Sequence, residues 1–374
     1  MTKATELAEA LDAKAKQNNF HGAIQVDGPD CPDSGLSPTF RQGYGLRDRA
    51  NEIATAGSDY FPVASITKGF TAVTIAALIE DGVLDWDTPV RQYLGTDLPL
   101  IDDGVTIAHL LSHRSGIGDY LDESATDSTD YAMPIPVHLM DSPEAYLPAL
   151  EGHPQEFAPG SKYGYNNAGY AVMAIVAERA SGKSFYDLVK EKVFQPAGMV
   201  ESRFARTDEP VSKQVVSYLD EAEPWFKSGA LEEWQSNGRV PNFYFPRTNV
   251  LHLPVRGSGD GGVITWTGDL TKFWRALMGG KLLTPETPDA LTTAVSDIED
   301  ENATYGHGFY RNKATGYLYL DGWDAGISAR TWYDPATGVI ASVLSNSSEG
   351  AGEALGAIDW DGSHLFSSPL IPRG

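Results

Sequence analysis

The chain has a single cysteine, Cys31, among its 374 residues, so no intramolecular disulfide can staple it. That cysteine sits in a Pro-Asp-Cys-Pro-Asp-Ser stretch that reads as a surface loop, with no neighbouring His or second Cys to form a metal site. Positive charge is also scarce: 28 Lys and Arg face 51 Asp and Glu, a formal net charge of −23. Such a field repels nucleic acid and anionic lipid, both of which bind mainly through cations that neutralise phosphate. No apolar run is long enough to span a bilayer, and the first twenty residues lack the basic start and apolar core of a secretory signal. Taken as written, the sequence predicts a cytoplasmic protein, or a periplasmic or secreted one if a leader has been removed. His-Glu-x-x-His does not occur, which excludes the common zinc-peptidase helix, and neither does Gly-x-Ser-x-Gly, the elbow of α/β-hydrolases. Gly182-Lys183-Ser184 lacks the upstream glycine of a phosphate loop, since Ala177 stands there. Neither a metal nor an organic cofactor is implied.

What the chain does contain is enough apolar material for a large interior, 41% hydrophobic and 10% aromatic residues. Its length suits two intimately packed domains. Leu7 and Leu11, four apart among charged residues, predict an amphipathic helix at the start. His21 to Asp27 and Phe40 to Leu46 read as strands, as do Tyr317 to Leu320, Ser328 to Tyr333 and Val339 to Ser345. Between them, Ile66, Phe70, Val73, Ala77 and Leu78 recur at helical spacing, and Gly82 stands where that helix should end. Ala168 to Ala180 forms a second helical pattern. Strands at both ends predict one α/β domain built from residues 1–75 and 256–374. Residues 76–255 then form a mostly helical domain, with a site in the cleft between the two.

The tetrad Ser65-Ile66-Thr67-Lys68 carries the chemistry. A serine hydroxyl is a poor nucleophile until a base takes its proton. At a helix start, residues i and i+3 share a face, which brings the Lys68 amine over the Ser65 hydroxyl. Burial against Phe61, Ile66 and Phe70 would disfavour the ammonium and leave an amine able to accept that proton. The bland alternative is a helix-capping serine with an exposed lysine one turn on. Ser-x-x-Lys occurs at no other serine of this chain. Tyr165-Asn166-Asn167 is the second element: a phenol to relay the proton, and an amide to contact both lysine and substrate. Tyr-x-Asn is weak alone, as Tyr310-Arg311-Asn312 shows, but the first copy directly precedes a helix in the middle of the chain.

Several further stretches lie between and after these motifs in the expected order. Among them are Gly82-Val83-Leu84-Asp85-Trp86-Asp87, Leu110-Leu111-Ser112-His113-Arg114-Ser115-Gly116 and Tyr305-Gly306-His307-Gly308. Over roughly residues 20–346 the chain resembles the serine β-lactamase superfamily, on the branch of class C β-lactamases, D-alanyl-D-alanine carboxypeptidases and penicillin-binding-protein-like esterases. The resemblance implies an antiparallel sheet flanked by helices, with a mostly helical insertion. It assigns Ser65 as nucleophile, Lys68 as base, Tyr165 as proton relay and Asn167 to substrate binding.

The family's third motif, a Lys or His two residues before a glycine, departs here. Leu320-Asp321-Gly322 occupies that place, or Asp321-Gly322-Trp323 if the register slips by one. Gly322 and the Trp323 N–H remain as substrate-binding elements, while the cation that would hold a carboxylate is missing. This predicts a serine hydrolase of small esters, amides or D-amino-acid peptides. A β-lactamase, a D-alanyl-D-alanine carboxypeptidase or a non-catalytic ligand-binding relative are the alternatives. His113 and His307 are weaker candidates for roles near the cleft. Trp225, Trp234, Trp266, Tyr244 and Phe245 are candidate walls of an acyl pocket. No residue pattern indicates an oligomeric state.

Overall fold

The computed structural model describes residues 2–18, 20–31, 38–121, 133–209, 211–219, 248–298, 301–348 and 350–355. Its centre is an eight-stranded, wholly antiparallel sheet. We label its strands β1 (Gly22–Asp27), β2 (Phe40–Tyr44), β3 (Ser296–Ile298), β4 (Ala303–Tyr305), β5 (Tyr310–Asn312), β6 (Leu318–Asp324), β7 (Ile327–Tyr333) and β8 (Ile340–Ser345). Their spatial order is β2-β1-β8-β7-β6-β5-β4-β3, so the first strand pairs with the last and both ends of the chain close one sheet. In that pairing Gly22 lies opposite Ser345 and Asp27 opposite Ile340.

Side-chain alternation gives each face its own core. From β8, Ile340 and Leu344 join the larger apolar cluster, whereas Ala341 and Val343 join the smaller one on the other face. The smaller core is covered by helices α1 (Lys3–Gln17) and α5 (Gly350–Leu355), through Ala4, Ala8, Leu11, Ala15 and Leu355. Leu11 is buried as its spacing predicts, but alanines rather than Leu7 supply most of the inner stripe.

The larger core is built on α2 (Thr67–Glu80), α3 (Asn167–Ser181) and α4 (Thr267–Met278). Every residue of α2 from Thr67 to Leu78 is buried, so the helix is enclosed on all sides rather than amphipathic. Such a helix is stable only when neighbours surround it, and Phe70 meets both Phe194 and Phe273 edge-on at 5.4 and 4.9 Å. One continuous apolar cluster runs from Phe61 and Val63 through α2 and α3 to Trp274 and Leu344. No helix among the described residues is long and apolar enough to cross a membrane.

Candidate active site

The chain reaches the nucleophile through a strained approach. Phe61–Pro62 pairs with Val263–Thr265, and the Val63 N–H donates to the Val263 carbonyl at 3.0 Å. Ala64 then takes a left-handed backbone, φ 43°, which costs a residue with a Cβ about 1 kcal/mol or more. A single 3₁₀ turn, Ala64–Ile66, carries Ser65 and leads directly into α2. The predicted helix therefore begins at Thr67, with Ser65 in the tighter turn before it.

Lys68 projects back from the first turn of α2 and is 3% exposed. Its Nζ lies 2.8 Å from Ser65 Oγ, 2.8 Å from Asn167 Oδ1 and 2.9 Å from the Asp260 carbonyl. The last two groups can only accept, so each engages an amine hydrogen. A neutral amine held by both would turn its lone pair toward the Ser65 hydroxyl. The Tyr165 hydroxyl reaches the same Oγ at 2.8 Å, and its ring centroid lies 5.0 Å from the Lys68 amine. The capping-serine alternative fails on this geometry: Lys68 is buried, the distant Tyr165 meets the Ser65 hydroxyl, and the distant Asn167 and Asp260 hold the Lys68 amine.

Helix α3 holds the second motif in place. Asn166, not Asn167, caps it, with its side chain accepting the Gly169 N–H at 2.6 Å. Asn167 is thereby released to point at Lys68. Asp119 accepts the backbone N–H groups of Asn167 and Ala168 at 2.6 and 3.0 Å. Beneath Tyr165 lies His113, fully buried at φ 56°, with ring centroids 4.5 Å apart. Its Nδ1 accepts the Asn166 N–H at 3.1 Å, which leaves the ring proton on Nε2, an atom with no hydrogen-bond partner among the described residues. Burial first, and then the Lys68 charge, keep His113 well below the ordinary histidine range. His113 supports Tyr165 without touching Ser65.

The third-motif strand β6 passes along the Ser65 turn. A Cβ on Gly322 would fall 2.1 Å from the Val63 carbonyl, so only glycine lets the strand approach this closely. Leu320, on the same face, fills the space above Gly69 of α2, with its Cδ1 2.5 Å from where a Cβ on Gly69 would stand. Asp321 points to the opposite face and forms a two-pronged ion pair with the fully buried Arg330 of β7. The glycine contact thus favours the register Leu320-Asp321-Gly322, and the aspartate is engaged away from the cleft.

Ser65, Asn167 and Trp323 line one cavity of about 490 Å³. Leu121, Met133, Val215, Leu253 and Ile264 supply much of its wall, with the carboxylates of Glu209, Asp260 and Asp324. Among the described lining residues there is no Lys or Arg. Other sequence candidates lie elsewhere. His307 packs against Trp86 in a tilted ring contact at 5.0 Å and does not line the cavity. Trp266 lies under Arg41 at the start of α4. Trp225, Trp234, Tyr244 and Phe245 fall outside the described residues. Asp119, Tyr120 and Asp260 were not anticipated. Asp260 alone has a sequence signal, the Gly-Ser-Gly-Asp-Gly-Gly run at 257–262, where Gly259 lets the loop pass close to the Tyr170 backbone.

The chain is similar to known proteins of one family. The Beta-lactamase family model matches residues 35–365. Penicillin-binding protein 4* of Bacillus subtilis (strain 168) is 26% identical over 313 residues, covering 82% of this chain and 63% of its own length. Esterase EstB of Burkholderia gladioli is 30% identical over 277 residues, 72% of this chain and 70% of that protein. Among solved structures, the penicillin binding protein from Bacillus halodurans superposes with a TM-score of 0.81 at 30% identity, covering 93% of this chain and 99% of that one.

Proposed function

Because the chain belongs to the β-lactamase family, we propose that it is a serine hydrolase that forms an acyl-enzyme on Ser65 with small esters or amides lacking a carboxylate. The observation that carries the reading is the convergence of the Lys68 amine and the Tyr165 hydroxyl on one serine oxygen, each at 2.8 Å. In this reading Lys68 accepts the Ser65 proton as Oγ attacks the carbonyl carbon. Tyr165 relays a proton to the departing alcohol or amine, and water then attacks the ester so formed and releases the acid. The developing oxyanion is received by the backbone N–H groups of Ser65 and Trp323, and Asn167 orients the substrate carbonyl and the amine. The preference for uncharged acyl groups follows from Leu320 at the third motif and from carboxylates without Lys or Arg among the described cavity lining.

The test is a side-by-side assay of p-nitrophenyl acetate and nitrocefin with wild type and Ser65→Ala. The reading expects ester hydrolysis that Ser65→Ala abolishes, with nitrocefin turned over far more slowly. Ester hydrolysis that survives Ser65→Ala would place the chemistry elsewhere. Efficient nitrocefin turnover would overturn the substrate assignment.

A further inference from the structure

Lys68 has a neighbour that acyl transfer, as described, leaves unused. Asp260 sits in the glycine-rich loop before Val263–Thr265, and its backbone carbonyl accepts from Lys68 at 2.9 Å. A residue of any kind at 260 could supply that carbonyl, so the contact does not explain the carboxyl. Yet the carboxyl is built in: Asp260 is 8% exposed, and the Tyr120 hydroxyl donates to its Oδ2 through a short hydrogen bond. Both residues line the cavity that Ser65 opens into. A buried carboxylate beside a buried amine favours the ammonium, because each stabilises the charge of the other.

We propose that Asp260 is a positioning residue that governs the charge of Lys68, so that the pH at which the amine can act as a base is set by this carboxyl and its tyrosine partner. The proposal rests on the reading of Ser65 as nucleophile and Lys68 as its base. The surroundings are these. On α2 stands Lys68, and from the start of α3 come Tyr165, Asn167 and the Tyr170 ring, 5.7 Å from Nζ. The segment after Leu111 contributes neutral His113, Asp119 and Tyr120. Tyr146 donates to the Arg256 carbonyl, Tyr186 donates to the Gly257 carbonyl, and the Arg256 guanidinium stacks 3.6 Å over the Tyr186 ring. Burial lifts the Asp260 carboxyl above its ordinary range. The Lys68 charge, the Tyr120 hydroxyl and the N–H groups of Asp260 and Gly261 offset part of that rise, and the carboxyl stays above its ordinary range.

An ionised Asp260 keeps Lys68 protonated to higher pH, which moves the acidic limb of the rate profile toward alkaline pH. Removing the charge should move that limb toward acid by about one pH unit. Below the limb, the variant should then outpace wild type, by roughly tenfold for one unit. The experiment measures the rate of labelling by a fluorophosphonate probe, and of p-nitrophenyl acetate hydrolysis, across pH for wild type, Asp260→Asn and Asp260→Ala. Thermal melting checks that each variant is folded. Asparagine can still accept from Tyr120, so packing is preserved while the charge is lost. A downward shift of the limb in either folded variant supports the proposal. A limb that stays in place while the plateau falls, or one that moves upward, assigns the carboxyl to packing and overturns it, as would failure of both variants to fold. Wild type that takes no label at any pH overturns the acyl-enzyme reading and this proposal together. A labelled wild type with an unmoved limb in the variants overturns this proposal alone.

Discussion

Lys68 owes its poise to partners that are not neighbours in sequence. Asn167 and the Asp260 carbonyl hold the amine from two sides, and Ser65 and Tyr165 complete the group. Lys68→Met should therefore keep the fold and lower kcat/KM at least about 10³-fold, since base and orientation are lost together. Tyr165→Phe should lower kcat about 10²-fold or more. Steady-state ester hydrolysis by folded variants checks both, and a tyrosine variant within a few-fold of wild type would remove the phenol from the mechanism. His113 bears on stability instead. Its folded-state pKa is depressed, so below about pH 6.5 the unfolded chain takes up a proton that the folded chain refuses. Stability should then fall as pH drops, by about 1.4 kcal/mol per pH unit from this residue. His21, His109 and His307 add to the trend in the same direction. His113→Asn tolerates the left-handed backbone and should show a shallower loss in urea unfolding between pH 7 and pH 5. An unchanged slope would contradict the account of this imidazole.

At the scale of elements, the strand β6 carries the third motif, where the proposed reading puts leucine in place of a carboxylate-binding cation. Leu320 is 2% exposed and packs on Gly69 of α2. Leu320→Lys would restore the family's residue type but place an ammonium against an apolar helix. It should destabilise the protein by roughly 3 kcal/mol or more without conferring nitrocefin turnover. Melting and a nitrocefin assay check this, and a stable variant that hydrolyses nitrocefin would contradict it. The same strand shows how far pattern reading reaches. β1, β7 and β8 were legible because apolar, β-branched and aromatic residues cluster in each between turn signals, and α3 because its cap and Gly182 bracket it. The strands Ser296–Ile298, Ala303–Tyr305 and Tyr310–Asn312 were not, since three residues are too few to display a period. Ser65, Lys68, Tyr165 and Asn167 could be named because motif spacing survives without coordinates. Asp119, Tyr120 and Asp260 could not, because they reach the site through loops whose course only the fold reveals.

For the whole molecule, the dominant physical fact besides the sheet is a net charge of −23. Self-repulsion of that size opposes compaction, and salt screens it: the Debye length falls from about 30 Å at 0.01 M to about 8 Å at 0.15 M. The melting temperature should rise across that range of NaCl. A fall would mean that attractive pairs such as Arg179 with Glu144 and Asp97 outweigh the repulsion. The sheet that joins both ends of the chain and the buried helix α2 exist, on this account, to hold one hydroxyl against one amine and one phenol. Intact-mass measurement after treatment with a fluorophosphonate tests that claim most directly. The expected result is a single phosphonyl adduct per chain, mapped by peptide analysis to Ser65 and absent from folded Ser65→Ala. An unlabelled wild type, or an adduct that persists in Ser65→Ala, would contradict it.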